Sequence, residues 1–449
     1  MKQTYSYKEK IIQFFLLFLP IFLTQASLIG TNVLSTVFSG HASTIDLAGI
    51  AIGSNLWIPI YTGMIGVFLG ITPILSQYLG AQRLDRIAPT IWQGIYIAVF
   101  SGLLILLIGF LAADLILSHM QLDPAVYHIA ITYLAIIAAA IIPVFILTTL
   151  RNVVDSHGFT HLSMGVLLFH FCMVTFLFYG LVFGNFGFPR FGGLGTGYAL
   201  VIADWVTCIL FFLILRYKEP FRSYALFRHI PAPSWMLCRE QLKVGIPIGI
   251  SIFCEVSIFS IVTLLMSEFG TQVIAAHQSA ISFATLTYII PVSLAMTSTI
   301  LISYEIGAKR FHDVRQYTYI TLGITACLAL SVAAFAFFNL PLIASFLSSD
   351  KQLLPLLSQF IVYSVFYILT DAFGTPTQGI LRGYKDVKII SIGAFICYWI
   401  ISLPLGYILA HYTPLQPFGY WAGLSVGLTI AGCIYNYRLY QTQKKYYQE

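Results

Sequence analysis

Gly245-Ile-Pro-Ile-Gly-Ile-Ser-Ile-Phe-Cys-Glu255-Val-Ser-Ile-Phe-Ser-Ile-Val-Thr-Leu-Leu-Met266 is an apolar run of membrane length with one carboxylate near its middle. At ~1.5 Å per residue, Glu255 lies about 16 Å along a helix that needs about 30 Å to cross a bilayer. A bare carboxylate at that depth costs several kcal/mol. Such groups face a bundle interior or a wet cavity and mark an ion or substrate path.

The rest of the chain has the same oily character. Its 449 residues are 58% hydrophobic and only 9% charged, with a mean hydropathy of +0.86. Soluble domains carry about 25% charged residues, so a single water-soluble core is excluded and a polytopic membrane protein is expected. Lys2, Lys8 and Lys10 before an apolar run imitate a signal peptide. No small-x-small cleavage site follows and the run continues to membrane length, so it reads as an uncleaved first span. The seven cysteines are scattered, with no CxxC; neither disulfides nor a metal cluster is expected.

Apolar windows predict twelve helices, at 11–38, 47–75, 89–113, 126–150, 160–184 and 193–216, then 244–267, 273–303, 314–340, 352–380, 386–411 and 418–440. The fold class is an all-α integral membrane protein. Its domains are an N-terminal six-helix lobe (1–216), a polar, basic, proline-containing cytoplasmic linker (217–243) and a C-terminal six-helix lobe (244–449). Of the 23 Lys and Arg, all but Arg190 and Lys351 fall in the termini or the even-numbered connections. The positive-inside rule then puts both termini in the cytoplasm.

The two halves repeat at an offset of about 227 residues, as Ser76-Gln-Tyr-Leu-Gly-Ala-Gln-Arg83 against Ser303-Tyr-Glu-Ile-Gly-Ala-Lys-Arg310 shows. Pro20 falls on Pro247, and Phe191-Gly192 on Phe418-Gly419. Six spans per half keep the copies parallel, with a pseudo-two-fold along the membrane normal and a central cavity between two lobes. The duplication also shows what each special residue replaces. Glu255 falls on Leu28 and Asp371 on Val144, so only the second half carries these acids.

Tyr363, Tyr367 and Asp371 are four apart and share a helix face. Gly374 and Pro376 follow, which should weaken that helix and free backbone carbonyls for a cation site or a hinge. Glu255, Asp371 and the Tyr367 hydroxyl together offer hard oxygens. Two buried acids of this kind can share a proton or trade it for a monovalent cation. The plain alternative is a pair of structural, hydrogen-bonded acids. Counted from Lys351, Asp371 comes ~29 Å in, near the cytoplasmic end, unless its helix is long or kinked.

Asp204 is a third acid in an apolar run. It either faces the cavity of the first lobe or hydrogen-bonds a neighbouring helix. Trp57, Tyr61, Phe283 and Tyr288 are candidates to stack flat organic cations, against the alternative that they pack against lipid or other helices. His277 reads as a helix-contact histidine. No HExxH or Walker loop occurs, so neither zinc-protease chemistry nor ATP use is indicated.

With these residues in view the chain resembles the multidrug and toxic compound extrusion (MATE) family, in its NorM-like branch. The resemblance rests on Asp46-Leu-Ala-Gly-Ile-Ala-Ile-Gly-Ser-Asn-Leu-Trp-Ile-Pro59, the Glu255 helix, Ala275-Ala-His-Gln278, Ile306-Gly-Ala-Lys-Arg310 and Leu381-Arg-Gly-Tyr-Lys-Asp-Val-Lys388. It implies export of cationic, lipophilic compounds in exchange for Na⁺ or H⁺, by alternating access. It also associates Glu255, Asp371 and Tyr367 with the coupling cation. Where the family's first helix usually reads Val-Asp-Thr, this chain has Leu34-Ser35-Thr36. Ser35 is then a cavity position without its acid, and weight shifts to Glu255 and Asp371 unless Asp204 substitutes.

The expectation is a monomeric, multi-pass antiporter of a bacterial-type plasma membrane that carries small organic cations. It needs no cofactor, no metal beyond a Na⁺ at Glu255 and Asp371, and no nucleic acid. A lipid-linked saccharide flippase should want basic residues within its spans, whereas here they sit at the ends. A non-transporting receptor or enzyme would leave the duplication unexplained.

Overall fold

The structure is a computed structural model that describes residues 3–120, 122–228, 230–348, 350 and 352–448. Lys2 and Lys351, both counted in the charge asymmetry, lie outside the described residues. The first eight helices are α1 (Tyr7–Ala42), α2 (Thr44–Leu69), α3 (Ile71–Gly80), α4 (Ile87–His119), α5 (Pro124–Ala138), α6 (Ile141–Ser156), α7 (Thr160–Phe183) and α8 (Leu194–Tyr217). The next eight are α9 (Trp235–Leu265), α10 (Thr271–Gly307), α11 (Phe311–Phe338), α12 (Leu340–Leu347), α13 (Leu354–Gly383), α14 (Lys388–Ala394), α15 (Leu403–Tyr412) and α16 (Phe418–Gln448). A π-helical stretch, Phe395–Ser402, joins α14 to α15. Among the described residues, 11 helices are long and apolar enough to cross a membrane, and the bent pair α5–α6 makes up to 12.

That bend is where the expected single span 126–150 differs from the structure. Pro143 has no N–H to offer the Ala139 carbonyl four residues back, and the helix turns by 49° there. Trp205 Nε1 on α8 donates to that carbonyl at 3.1 Å instead. The equivalent span of the second half, α13, runs unbroken through Gly374 and Pro376. Asn436 Nδ2 on α16 donates to the Phe373 carbonyl, in the turn before that proline, at 3.1 Å. α13 is also long. Asp371 sits 12 residues before its end at Gly383, about 18 Å into the helix at 1.5 Å per residue.

The repeat read from the sequence recurs as hydrogen bonds. Ser76 Oγ donates to the Ser156 carbonyl at 3.4 Å, and Ser303 Oγ to the Gly383 carbonyl at 3.3 Å. Each partner is shifted by 227 residues from its counterpart. The helices beneath the second of these bonds touch backbone to backbone, since a Cβ on Gly379 would stand 2.3 Å from the Ala295 carbonyl oxygen.

The chain forms two compact units. One is Leu23–Gly245; the other is residues 246–448 together with residues 3–22. The first eleven residues of α9 thus pack with the first unit, where a Cβ on Gly70 would meet Gly245 Cα at 2.6 Å. The start of α1 packs with the second. Within the first unit, Phe68, Phe145, Val153 and Phe211 lie in one core. In the second, Tyr317, Phe360, Trp421 and Tyr435 are among the large, fully buried side chains.

The stretch read as a linker is tied down onto the first unit. Trp92 Nε1 donates to the Leu226 carbonyl at 2.8 Å and Tyr96 Oη to that of Pro231 at 2.9 Å. Phe221 is fully buried, with its ring 4.8 Å from that of His157. His157 Nδ1 donates to the Val153 carbonyl at 2.7 Å, which leaves Nε2 to accept from Tyr224 Oη at 3.2 Å. Both ring nitrogens are thus used by the neutral imidazole.

Burial lowers the His157 pKa from 6.5 to about 4. The unfolded chain therefore takes up a proton that the folded one refuses as pH falls from 6.5 to about 4, and stability is lost over that window. At 1.36 kcal/mol per pH unit the loss is about 3 kcal/mol. Thermal unfolding in detergent should show a drop over that range in the wild type that flattens in His157→Gln.

Candidate functional site

The second unit brings Glu255, Asp371, Tyr367 and Tyr288 together. Glu255, on α9, is half-buried and has Tyr288, on α10, within its electrostatic reach. Asp371, on α13, is 2% exposed and within electrostatic reach of Glu255. Its Oδ1 accepts from Thr375 Oγ1, one helical turn on, at 2.7 Å. Tyr367 is 4% exposed, one turn before Asp371, with both acids within its electrostatic reach. The site thus offers two carboxylates and two phenolic hydroxyls on three helices. These are hard oxygens of the kind that bind Na⁺ or carry a proton.

The Tyr367 ring is held on two sides. Phe259 meets it edge-on with centroids 5.5 Å apart, and Trp421 does so at 5.8 Å. Trp421 Nε1 donates to His277 Nδ1 at 3.0 Å, so the other ring nitrogen carries the imidazole proton. That Nε2 bonds Thr263 Oγ1 at 3.1 Å, and Thr263 donates on to the Phe259 carbonyl at 2.8 Å. His277 is accordingly a fully buried contact between α9, α10 and α16, with both nitrogens engaged.

Three residues of this cluster had not been singled out from the sequence. Thr375 follows Asp371 by four and was legible from spacing alone. Tyr398, 3% exposed in the π-helical stretch, lies within electrostatic reach of Glu255, Asp371 and Tyr367. Arg382, counted from sequence among the loop charges, belongs to the last turn of α13 and is 8% exposed. Glu255, Tyr288 and Tyr435 lie within its electrostatic reach.

The remaining candidates sort differently. Trp57 and Tyr61 stack on each other with centroids 5.6 Å apart, and Trp57 stacks on Phe145 at 6.4 Å, so both rings pack against the core of the first unit. Asp204 hydrogen-bonds His170 on α7, Oδ1 to Nε2, at 3.2 Å, and lies within electrostatic reach of Tyr61. Ser35 is half-buried on α1, and its carbonyl accepts from Ser39 Oγ at 2.7 Å. Phe283 is half-buried on α10 but, five residues before Tyr288, points about 140° away from it around the helix.

This duplicated frame has known relatives. The MatE family model matches twice, over residues 20–179 and 247–408, so its two starts lie 227 residues apart. A probable multidrug resistance protein NorM of Bacillus cereus is 44% identical over 446 residues, covering 99% of this chain and 98% of the relative. Its namesake in Bacillus subtilis is 42% identical over 449 residues, covering 100% and 99%. The chain belongs to the MATE family.

The MATE fold is seen directly in solved structures. A crystal structure of a MATE protein in complex with MaD3S superposes with a TM-score of 0.89 at 16% identity, covering 99% of this chain and 98% of that one. A eukaryotic MATE transporter superposes with a TM-score of 0.85 at 19% identity, covering 98% of each. A MOP superfamily transporter from Pyrococcus furiosus gives 0.86 at 16%, covering 99% of each. As a MATE protein the chain is a multi-pass membrane transporter, not an enzyme.

Proposed function

We propose that this MATE protein exports small organic cations from a bacterial cell in antiport with Na⁺ or H⁺, and that the coupling cation binds at Glu255, Asp371 and Tyr367. The single observation that carries the reading is the acid pair itself. Two carboxylates from different helices of an oily unit lie within reach of each other, where the repeated unit has Leu28 and Val144. Such acids are costly in a membrane and persist where they bind what is moved. Tyr288 and Tyr398 add hydroxyls and aromatic faces beside them, which suits an organic cation competing for the same negative charge. The names of the relatives, probable multidrug resistance proteins, support the same substrate class.

In this reading the loaded acids favour one conformation and the organic cation another, with both termini in the cytoplasm. The protein reconstituted in liposomes loaded with ethidium is the test. An imposed Na⁺ gradient, or failing that a pH gradient, should drive dye movement several-fold above leak. Dye movement that ignores both gradients would overturn the reading.

A further inference from the structure

We propose that Arg382 is the fixed countercharge of the acid cluster: it permanently balances one of the two carboxylates, so that the site exchanges a single monovalent cation per transport cycle. The inference rests on the coupling role given above to Glu255 and Asp371, and it specifies what that site counts.

The surroundings of Arg382 carry the argument. Its side chain is 8% exposed, and among the described residues it makes no ion pair within 4 Å. Its Nη2 reaches Gln378 Oε1 at 3.4 Å, while its Nε is buried with no hydrogen-bond partner. A guanidinium does not give up its proton in a protein, so this positive charge is permanent. A buried permanent charge needs an opposite one nearby. Glu255 is the carboxylate within its electrostatic reach.

The repeated unit supplies a control. Arg382 falls on Asp155, and Gln378 falls on Arg151. In the first unit these two charges serve each other, with Arg151 Nε 3.9 Å from Asp155 Oδ2 on the same helix. In the second unit the acid of that pair has become the arginine, and the former arginine position holds a neutral glutamine. The positive charge is left without an acid one turn away on α13, and Glu255 on α9 is the carboxylate within its reach.

Charge counting then fixes the stoichiometry. Two carboxylates and one guanidinium sum to −1, which one monovalent cation neutralises. Without the guanidinium the sum is −2, which calls for two monovalent cations or one divalent cation. A buried site of low dielectric penalises any imbalance, so the count is enforced rather than averaged.

Transport of ethidium, itself singly charged, reads the count directly. One cation exchanged for one dye is electroneutral. In liposomes clamped with potassium and valinomycin, the wild-type dye ratio at static head should not move with membrane potential. Arg382→Gln should exchange two for one, so that ~59 mV shifts the ratio about tenfold, and Arg382→Lys should behave as wild type. Glu255→Gln leaves one carboxylate and one guanidinium, a sum of zero with no cation to exchange, and transport should be lost. The pair Glu255→Gln/Arg382→Gln restores a sum of −1 on Asp371 alone, and one-for-one exchange should return even if Arg382→Gln alone fails to fold.

A wild-type ratio that moves with potential, Arg382→Gln exchange that stays one-for-one, or a double variant no more active than Glu255→Gln would each overturn the inference. In those cases the acids keep their role, whereas full transport by Asp371→Asn would remove both readings together.

Discussion

Asp371→Asn is expected to reduce gradient-driven efflux to the leak rate while leaving the folded protein intact. The substitution is close to isosteric, and the amide oxygen can still accept the 2.7 Å bond from Thr375. Packing around position 371, only 2% exposed, is therefore preserved. What disappears is the charge. Hydrogen bonds and contacts to charged groups are worth about 1.5–3 kcal/mol more than nothing, and the driving cation loses at least that much. At 1.36 kcal/mol per decade, its apparent affinity should fall by about 10–150-fold. A residual activity at very high Na⁺ or low pH is consistent with this; unchanged efflux at ordinary gradients is not. Monodispersity and melting temperature in detergent should match wild type, which separates lost coupling from lost folding. Thr375→Val is the companion change. It removes the hydroxyl but keeps the charge, and should weaken the driving ion by no more than a few-fold.

The two acids and the duplication are legible in the sequence itself, and the reason is physical. A membrane span must be apolar along its whole length, so a carboxylate inside one announces itself against the background, as Glu255 and Asp371 do. The duplication supplied a second reading of every position, and the family model repeats at the same 227-residue spacing. Depth along a helix is what such a reading gives. It does not give direction around the helix, and it fails for residues near span ends. Arg382 was counted with the loop charges because Lys385 and Lys388 follow it, yet its side chain is buried. Tyr398 is one aromatic among many in its span, and only the π-helical stretch around it sets it apart. Asp204 could face a cavity or a helix by periodicity alone, and its 3.2 Å bond to His170 is a contact between distant segments that no local pattern encodes. The bend at Pro143 and the continuity at Pro376 make the same point. Proline removes a hydrogen bond in both, and neighbouring side chains determine what replaces it.

The largest stability effect is expected at the start of α1, where the chain before Leu23 packs with the second unit. Lys10 is fully buried, and its Nζ stands 2.8 Å from Asp313 Oδ1 without hydrogen-bond alignment, so the contact is an ion pair held by charge. Asp313 has a second partner in Arg310 Nη2 at 2.6 Å. Arg310 is also tied to the Thr4 carbonyl and, through Nε at 3.5 Å, to Glu305. The two ends of the pair are therefore unequal. Asp313→Asn strands a buried ammonium whose direct partner is gone, and leaving one buried charge uncompensated costs about 3–5 kcal/mol. Lys10→Met removes the charge and fills its space with a flexible apolar side chain, while Asp313 keeps Arg310. That change should cost less than about 1 kcal/mol or be neutral, because a buried pair rarely stabilises more than well-packed carbon does. The double variant should then melt close to Lys10→Met, recovering most of what Asp313→Asn loses. Thermal unfolding of the four proteins in one detergent checks this. If Lys10→Met proves as damaging as Asp313→Asn, the segment is held by the ammonium's own attraction and the desolvation argument is wrong.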